Sequence, residues 1–119
     1  MSSDRPFANT LVPYMYRDAH NYKAHAEVVF DGTITDEERT ALEAGLQDGE
    51  YFVPGSVDLA DARDVDSRWT GVWDDEIDHN LNEIHMDEIE VCDRAPTDER
   101  TISEFVAALV ALNDPDGEL

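Results

Sequence analysis

Leu11-Val-Pro-Tyr-Met-Tyr-Arg-Asp-Ala-His-Asn-Tyr-Lys-Ala-His-Ala-Glu-Val-Val-Phe-Asp31 is the stretch whose reading decides the fold. From Leu11 to Asp18 the residues alternate: Tyr14 and Tyr16 fall on one face, Met15 and Arg17 on the other. A period of two is that of a strand with one buried face. Pro13 lacks an amide donor and places the start of the strand at an edge. Asp18 and Asn21 bracket a turn, because short Asx side chains hydrogen-bond nearby backbone. Tyr22 to Asp31 resumes the alternation with Ala26, Val28 and Phe30. Two strands joined by so short a polar turn pair as an antiparallel hairpin.

The rest of the chain continues from that hairpin. Asp31-Gly32 closes the second strand, and Thr35-Asp-Glu-Glu38 is a capping box that opens a helix. Its three early acids, Asp36, Glu37 and Glu38, suit the positive end of the helix dipole. The helix is read to about Gln47, with Ala41, Leu42 and Leu46 inward and Asp48-Gly49 as its stop. Glu50 to Val53 reads as a short strand ended by Pro54-Gly55. Ser56 to Asp78 reads as a long loop with a helical turn near 58–63, holding both tryptophans, Trp69 and Trp73. His79 to Cys92 reads as strand, but its apolar phase slips from Ile84 and Met86 to Ile89 and Val91. That slip implies a bulge near Asp87-Glu88, or two strands. Pro96-Thr97 is read as the opening of a last helix, with Ile102, Phe105, Val106, Leu109 and Leu112 at helical spacing. The reading is one α+β domain over residues 11–112, with flexible ends at 1–10 and 113–119. Its antiparallel sheet of four or five strands carries two helices on one face and leaves the other for a partner.

Composition bounds the setting. The chain has 119 residues, 29 acidic against 8 basic, and a formal net charge of −21. Such self-repulsion opposes compaction in dilute salt. At about 1 M salt the Debye length falls to about 3 Å and the repulsion is screened. Lys23 is the only lysine, as suits a surface that must stay hydrated in concentrated salt. The chain therefore reads as an acidic cytoplasmic protein of a halophile, with monovalent cations as its solvation. One cysteine, Cys92, excludes an intrachain disulfide. No apolar run reaches transmembrane length, no leader pattern precedes the hairpin, and clustered basic residues for phosphate contacts are missing. Membrane and nucleic-acid partners are accordingly not expected. Residues 1–30 are neutral, with three acids and three bases, so residues 31–119 carry the entire excess.

Two groups of residues suggest chemistry. In the hairpin, Tyr14, Tyr16, Arg17, Asp18, Asn21, Tyr22 and Lys23 either fix the turn or bind an acceptor such as a carboxylate or a peptide C-terminus; His20 and His25 flank Tyr22 and Lys23, a cluster that can do acid–base work. Trp69 and Trp73 join them as binding candidates, because indoles seek burial or a partner. Asp75, Asp78 and His79, with His85 nearby, are candidate ligands for a divalent metal or members of an acid–base set. His79 and His85 differ in strand parity, which separates them unless a bulge intervenes.

The Tyr14-Met-Tyr-Arg-Asp-Ala-His-Asn-Tyr-Lys23 block, with Glu27-Val-Val-Phe30 behind it, resembles the opening of a family of small prokaryotic proteins with no assigned activity. The later Asp78-His79-Asn80-Leu81-Asn82-Glu83 is similar to that family's D-H-x-x-H-E stretch, with Asn82 in place of the second histidine. The resemblance spans roughly residues 12–110 and implies an intact domain. The expectation for function is a small non-catalytic binding or regulatory module whose partner is a protein or a second copy. The alternative is a small metal-assisted or acid–base enzyme.

Overall fold

A computed structural model of the chain describes residues 8–18, 22–67, 69 and 81–112. Within them, β1 (Asn9–Arg17) and β2 (Lys23–Phe30) form the expected antiparallel hairpin, registered from Thr10 opposite Phe30 to Arg17 opposite Lys23. Asp18 closes its end: its backbone N–H donates to the Tyr22 carbonyl at 3.0 Å, and its side chain accepts the Tyr22 N–H at 2.9 Å. β1 starts at Asn9 rather than Leu11, because Asn9 and Thr10 tie it to the turn after β2. Thr10 Oγ1 donates to the Gly32 carbonyl and accepts the Ile34 N–H, while Asn9 Oδ1 accepts the Gly32 N–H. That turn needs glycine, since Gly32 sits at φ +96°.

α1 (Asp36–Gly45) is capped as read, with Thr35 accepting the Glu38 N–H and Glu38 accepting the Thr35 N–H. It ends at Gly45 rather than Gln47: Leu46 turns extended, and Asp48 and Gly49 take positive φ. β3 (Tyr51–Phe52) follows, then a 3₁₀ turn over Pro54–Val57. α2 (Ala62–Val65) is a single turn capped by Asp61. The phase slip resolves into two strands, β4 (Asn82–Glu83) and β5 (Glu90–Cys92), separated by a 3₁₀ turn at Met86–Glu88. Both strands pair with the same edge of β1, at Met15–Tyr16 and at Asn9–Leu11, so the turn re-phases the chain between two docking points. α3 (Ile102–Leu112) begins later than Pro96-Thr97. Its capping box is Thr101 with Glu104, and Thr97 is used elsewhere: its Oγ1 accepts the Val29 N–H, covering the β2 edge.

The sheet runs β2-β1-β4-β3, all antiparallel, with β5 also on β1. Val12, Tyr14 and Tyr16 turn one face of β1 into a core shared with Leu42, Leu46, Phe52, Phe105 and Leu109. Phe30 stacks on Phe105 at 4.5 Å between ring centres, which anchors α3 to the sheet. Such a pair adds about 0.5–1.5 kcal/mol beyond its buried area. Among the described residues, no helix is long and apolar enough to cross a membrane.

Candidate functional site

Antiparallel register puts a row of side chains on the face of the sheet opposite the core. Met15 lies opposite His25 on one side and Glu83 on the other, and Glu83 lies opposite Tyr51. Directly opposed residues project from the same face. Arg17 and Lys23 form the next row, and Pro13 and Glu27 the row beyond Met15. His85, two residues past Glu83, points the same way. The face opposite Tyr14 and Tyr16 thus collects titratable side chains from four strands.

Its centre is Glu83, a carboxylate whose side chain is only 9% exposed. Arg17 Nε lies 3.2 Å from Glu83 Oε2, and His85 Nε2 lies 2.9 Å from Glu83 Oε1. Glu50 Oε1 is 3.7 Å from the same imidazole nitrogen, and Glu88 Oε2 is 3.7 Å from His85 Nδ1. The hydrogen bond to Glu83 comes first in raising the His85 pKa; burial opposes it, and the charges of Glu88, Glu83 and Glu50 add to it. Glu50's charge is likewise the main reason the Tyr51 phenol is raised.

Beside this cluster runs an open groove of about 470 Å³, lined by Pro13, Tyr14, Met15, Arg17, Lys23, His25, Ala26, Glu27, His85 and Glu88. Four of these side chains are cationic or become so on protonation, including the only lysine of the chain. Glu27 is neutralised from outside by Arg94, whose Nη2 is 2.8 Å from its carboxylate.

The hairpin candidates divide by face. Tyr14 and Tyr16 are core residues, 5% and 0% exposed. The Tyr14 hydroxyl donates to the Ala60 carbonyl at 2.7 Å, and burial, aided by the Asp61 charge, pushes its pKa up to about 12. A phenol so held is a structural donor, not a proton shuttle. Tyr16 meets Trp69 edge to face at 5.5 Å and carries Arg63 over its ring at 4.0 Å, so Trp69 packs against the core. Arg17 forms an ion pair with Glu83 on β4, and its register partner in the hairpin is the like-charged Lys23. Asp18 serves the turn, while Tyr22 and Lys23 are exposed. Asn21, Trp73 and the expected metal ligands Asp75, Asp78 and His79 lie outside the described residues, as does His20.

Asn82 faces the core, fully buried. Its Nδ2 donates to Asp61 at 3.1 Å and its Oδ1 accepts the Ala62 N–H at 3.0 Å, which ties α2 to β4. No family model, curated protein or solved structure matches the chain. The site is therefore read from its own residues.

Glu50 and Glu83 are the residues that the sequence reading passed over. Glu83 had a usable signal: it shares strand parity with His85, and Met15 and Arg17 share the non-core face of β1. Glu50 had none, since only the β3–β4 pairing brings it to His85.

Proposed function

We propose that this protein is a non-catalytic binding module that takes a carboxylate-bearing peptide segment of a partner protein in the groove beside β1 and β2. One observation carries the reading: on a chain of net charge −21, the sole lysine gathers with Arg17, His25 and His85 around one groove. A carboxylate seated there meets charge-assisted donors, the stronger class of hydrogen bond. Elsewhere the acidic coat repels it, so the contrast supplies specificity as well as attraction.

The same charge distribution supports a salt-rich working environment. Unfolding followed in rising KCl is expected to show a midpoint that climbs toward molar salt. A midpoint indifferent to KCl would remove the halophilic part of the reading.

Calorimetric titration of the full chain in molar KCl tests the binding part. The probe is a short acidic peptide with a free C-terminal carboxylate. Saturable binding is expected, weakened at least about tenfold when Lys23→Gln and His25→Gln are combined, a loss equal to about 1.4 kcal/mol. Absence of binding, or equal binding by the double variant, would remove this reading. Self-association at titration concentrations would instead assign the face to a second copy.

A further inference from the structure

We propose that Glu50, Glu83 and His85 form a divalent transition-metal site at the rim of the groove. One ligand atom from each residue lies within 4.8 Å of the others. His85 Nε2 is 2.9 Å from Glu83 Oε1 and 3.7 Å from Glu50 Oε1. Donor atoms about 2.0–2.2 Å from a common ion lie about 2.8–3.6 Å apart at adjacent octahedral or tetrahedral positions. These spacings straddle that range, so small side-chain rotations seat an ion between the three donors.

The groups behind the ligands provide an independent argument. Metal-binding imidazoles give their other nitrogen to a carboxylate, and ligating carboxylates are themselves held by donors. Here Glu88 Oε2 stands 3.7 Å from His85 Nδ1, and Arg17 Nε stands 3.2 Å from the second oxygen of Glu83. Arg17 thus pairs with Glu83, and the Glu88 carboxylate stands near the imidazole without a hydrogen bond to it. Charge gives a third argument. Among the described residues, Glu50, Glu83 and Glu88 bring three negative charges against the guanidinium of Arg17, and one dication balances the excess.

An imidazole nitrogen favours zinc and its first-row neighbours over magnesium and calcium, which take oxygen ligands. Three protein ligands at an accessible rim leave a coordination position for water or for an incoming carboxylate.

The probes are Zn²⁺ alone by calorimetry and Co²⁺ alone by visible absorption, on the full untagged chain. Excess Mg²⁺ occupies the acidic coat. The expected result is one saturable equivalent, with Co²⁺ bands that develop to the same end point. His85→Gln and Glu50→Gln are each expected to weaken it at least about tenfold. His25→Gln on the same face should leave it unchanged. Far-UV dichroism confirms that each variant is folded, and Glu50→Gln, at a half-exposed position, stands in if another is not. No saturable equivalent above the Mg²⁺ background, or equal affinity in His85→Gln and Glu50→Gln, would overturn the site.

Discussion

Alternate residues of β1 live in two different chemistries. Val12, Tyr14 and Tyr16 are sealed under helices and aromatic rings, whereas Met15 and Arg17 look out on Glu83, His25 and the groove. On the sealed face every polar atom of note has a fixed structural duty: the Tyr14 hydroxyl on Ala60, and Asn82 on Asp61 and Ala62. On the open face, Lys23 and His25 are exposed, and carboxylates outnumber the guanidinium that pairs with them. The difference teaches that the tyrosines mark the core, while the residues between them mark the site.

The largest way to break the contrast is in the core. Phe105→Ala removes the ring stacked on Phe30 and should cost about 3–5 kcal/mol in denaturant unfolding. A loss under about 1 kcal/mol would mean that α3 is not anchored there. Next comes the buried network. Asn82→Ala leaves the Ala62 N–H and one Asp61 oxygen without that partner and should cost about 1–3 kcal/mol. Thr35→Ala, at the α1 cap, should cost about 1 kcal/mol.

Acid and alkali separate the two faces further. Burial raises the Asp61 carboxyl, but hydrogen bonds from the Arg63 side chain and backbone outweigh it and hold the pKa below the ordinary value. A folded-state pKa below the unfolded one stabilises at higher pH, and that stability is lost as pH falls below about 4. His85 has the opposite sign. Its raised pKa stabilises fully below about 6.5 and the gain disappears as pH rises through the higher folded value. In metal-free protein, unfolding from pH 5 to 9 should show that alkaline loss in the native sequence and not in His85→Gln. The smallest effect on stability belongs to the groove. Lys23→Gln and His25→Gln should each stay within about 0.5 kcal/mol in unfolding, although together they weaken peptide binding.

The fold was largely legible because alternation, capping boxes and helical spacing are local signals. The hairpin, the α1 cap and the inward residues of α3 follow from them, and the slip between Met86 and Ile89 marked the break between β4 and β5. Helix ends were less legible: Pro96-Thr97 carries start signals, yet Thr97 is spent on the β2 edge and the cap passes to Thr101. The site was legible only in part. Arg17 and Lys23 stood out by sequence, but Tyr14 and Tyr16 stood out equally, and only burial separates them. Glu50 meets His85 through pairing of distant segments, which no local pattern encodes.

The central claim is that the sheet face bearing Arg17, Lys23, His25 and His85 is the working surface. An amide and side-chain NMR titration of the full chain with the acidic, free-carboxylate peptide in molar KCl tests it most directly. Saturating shifts confined to those residues and their neighbours on β1, β2 and β4 are the predicted result. Shifts centred on α1 and α3, or none at peptide excess, would contradict it.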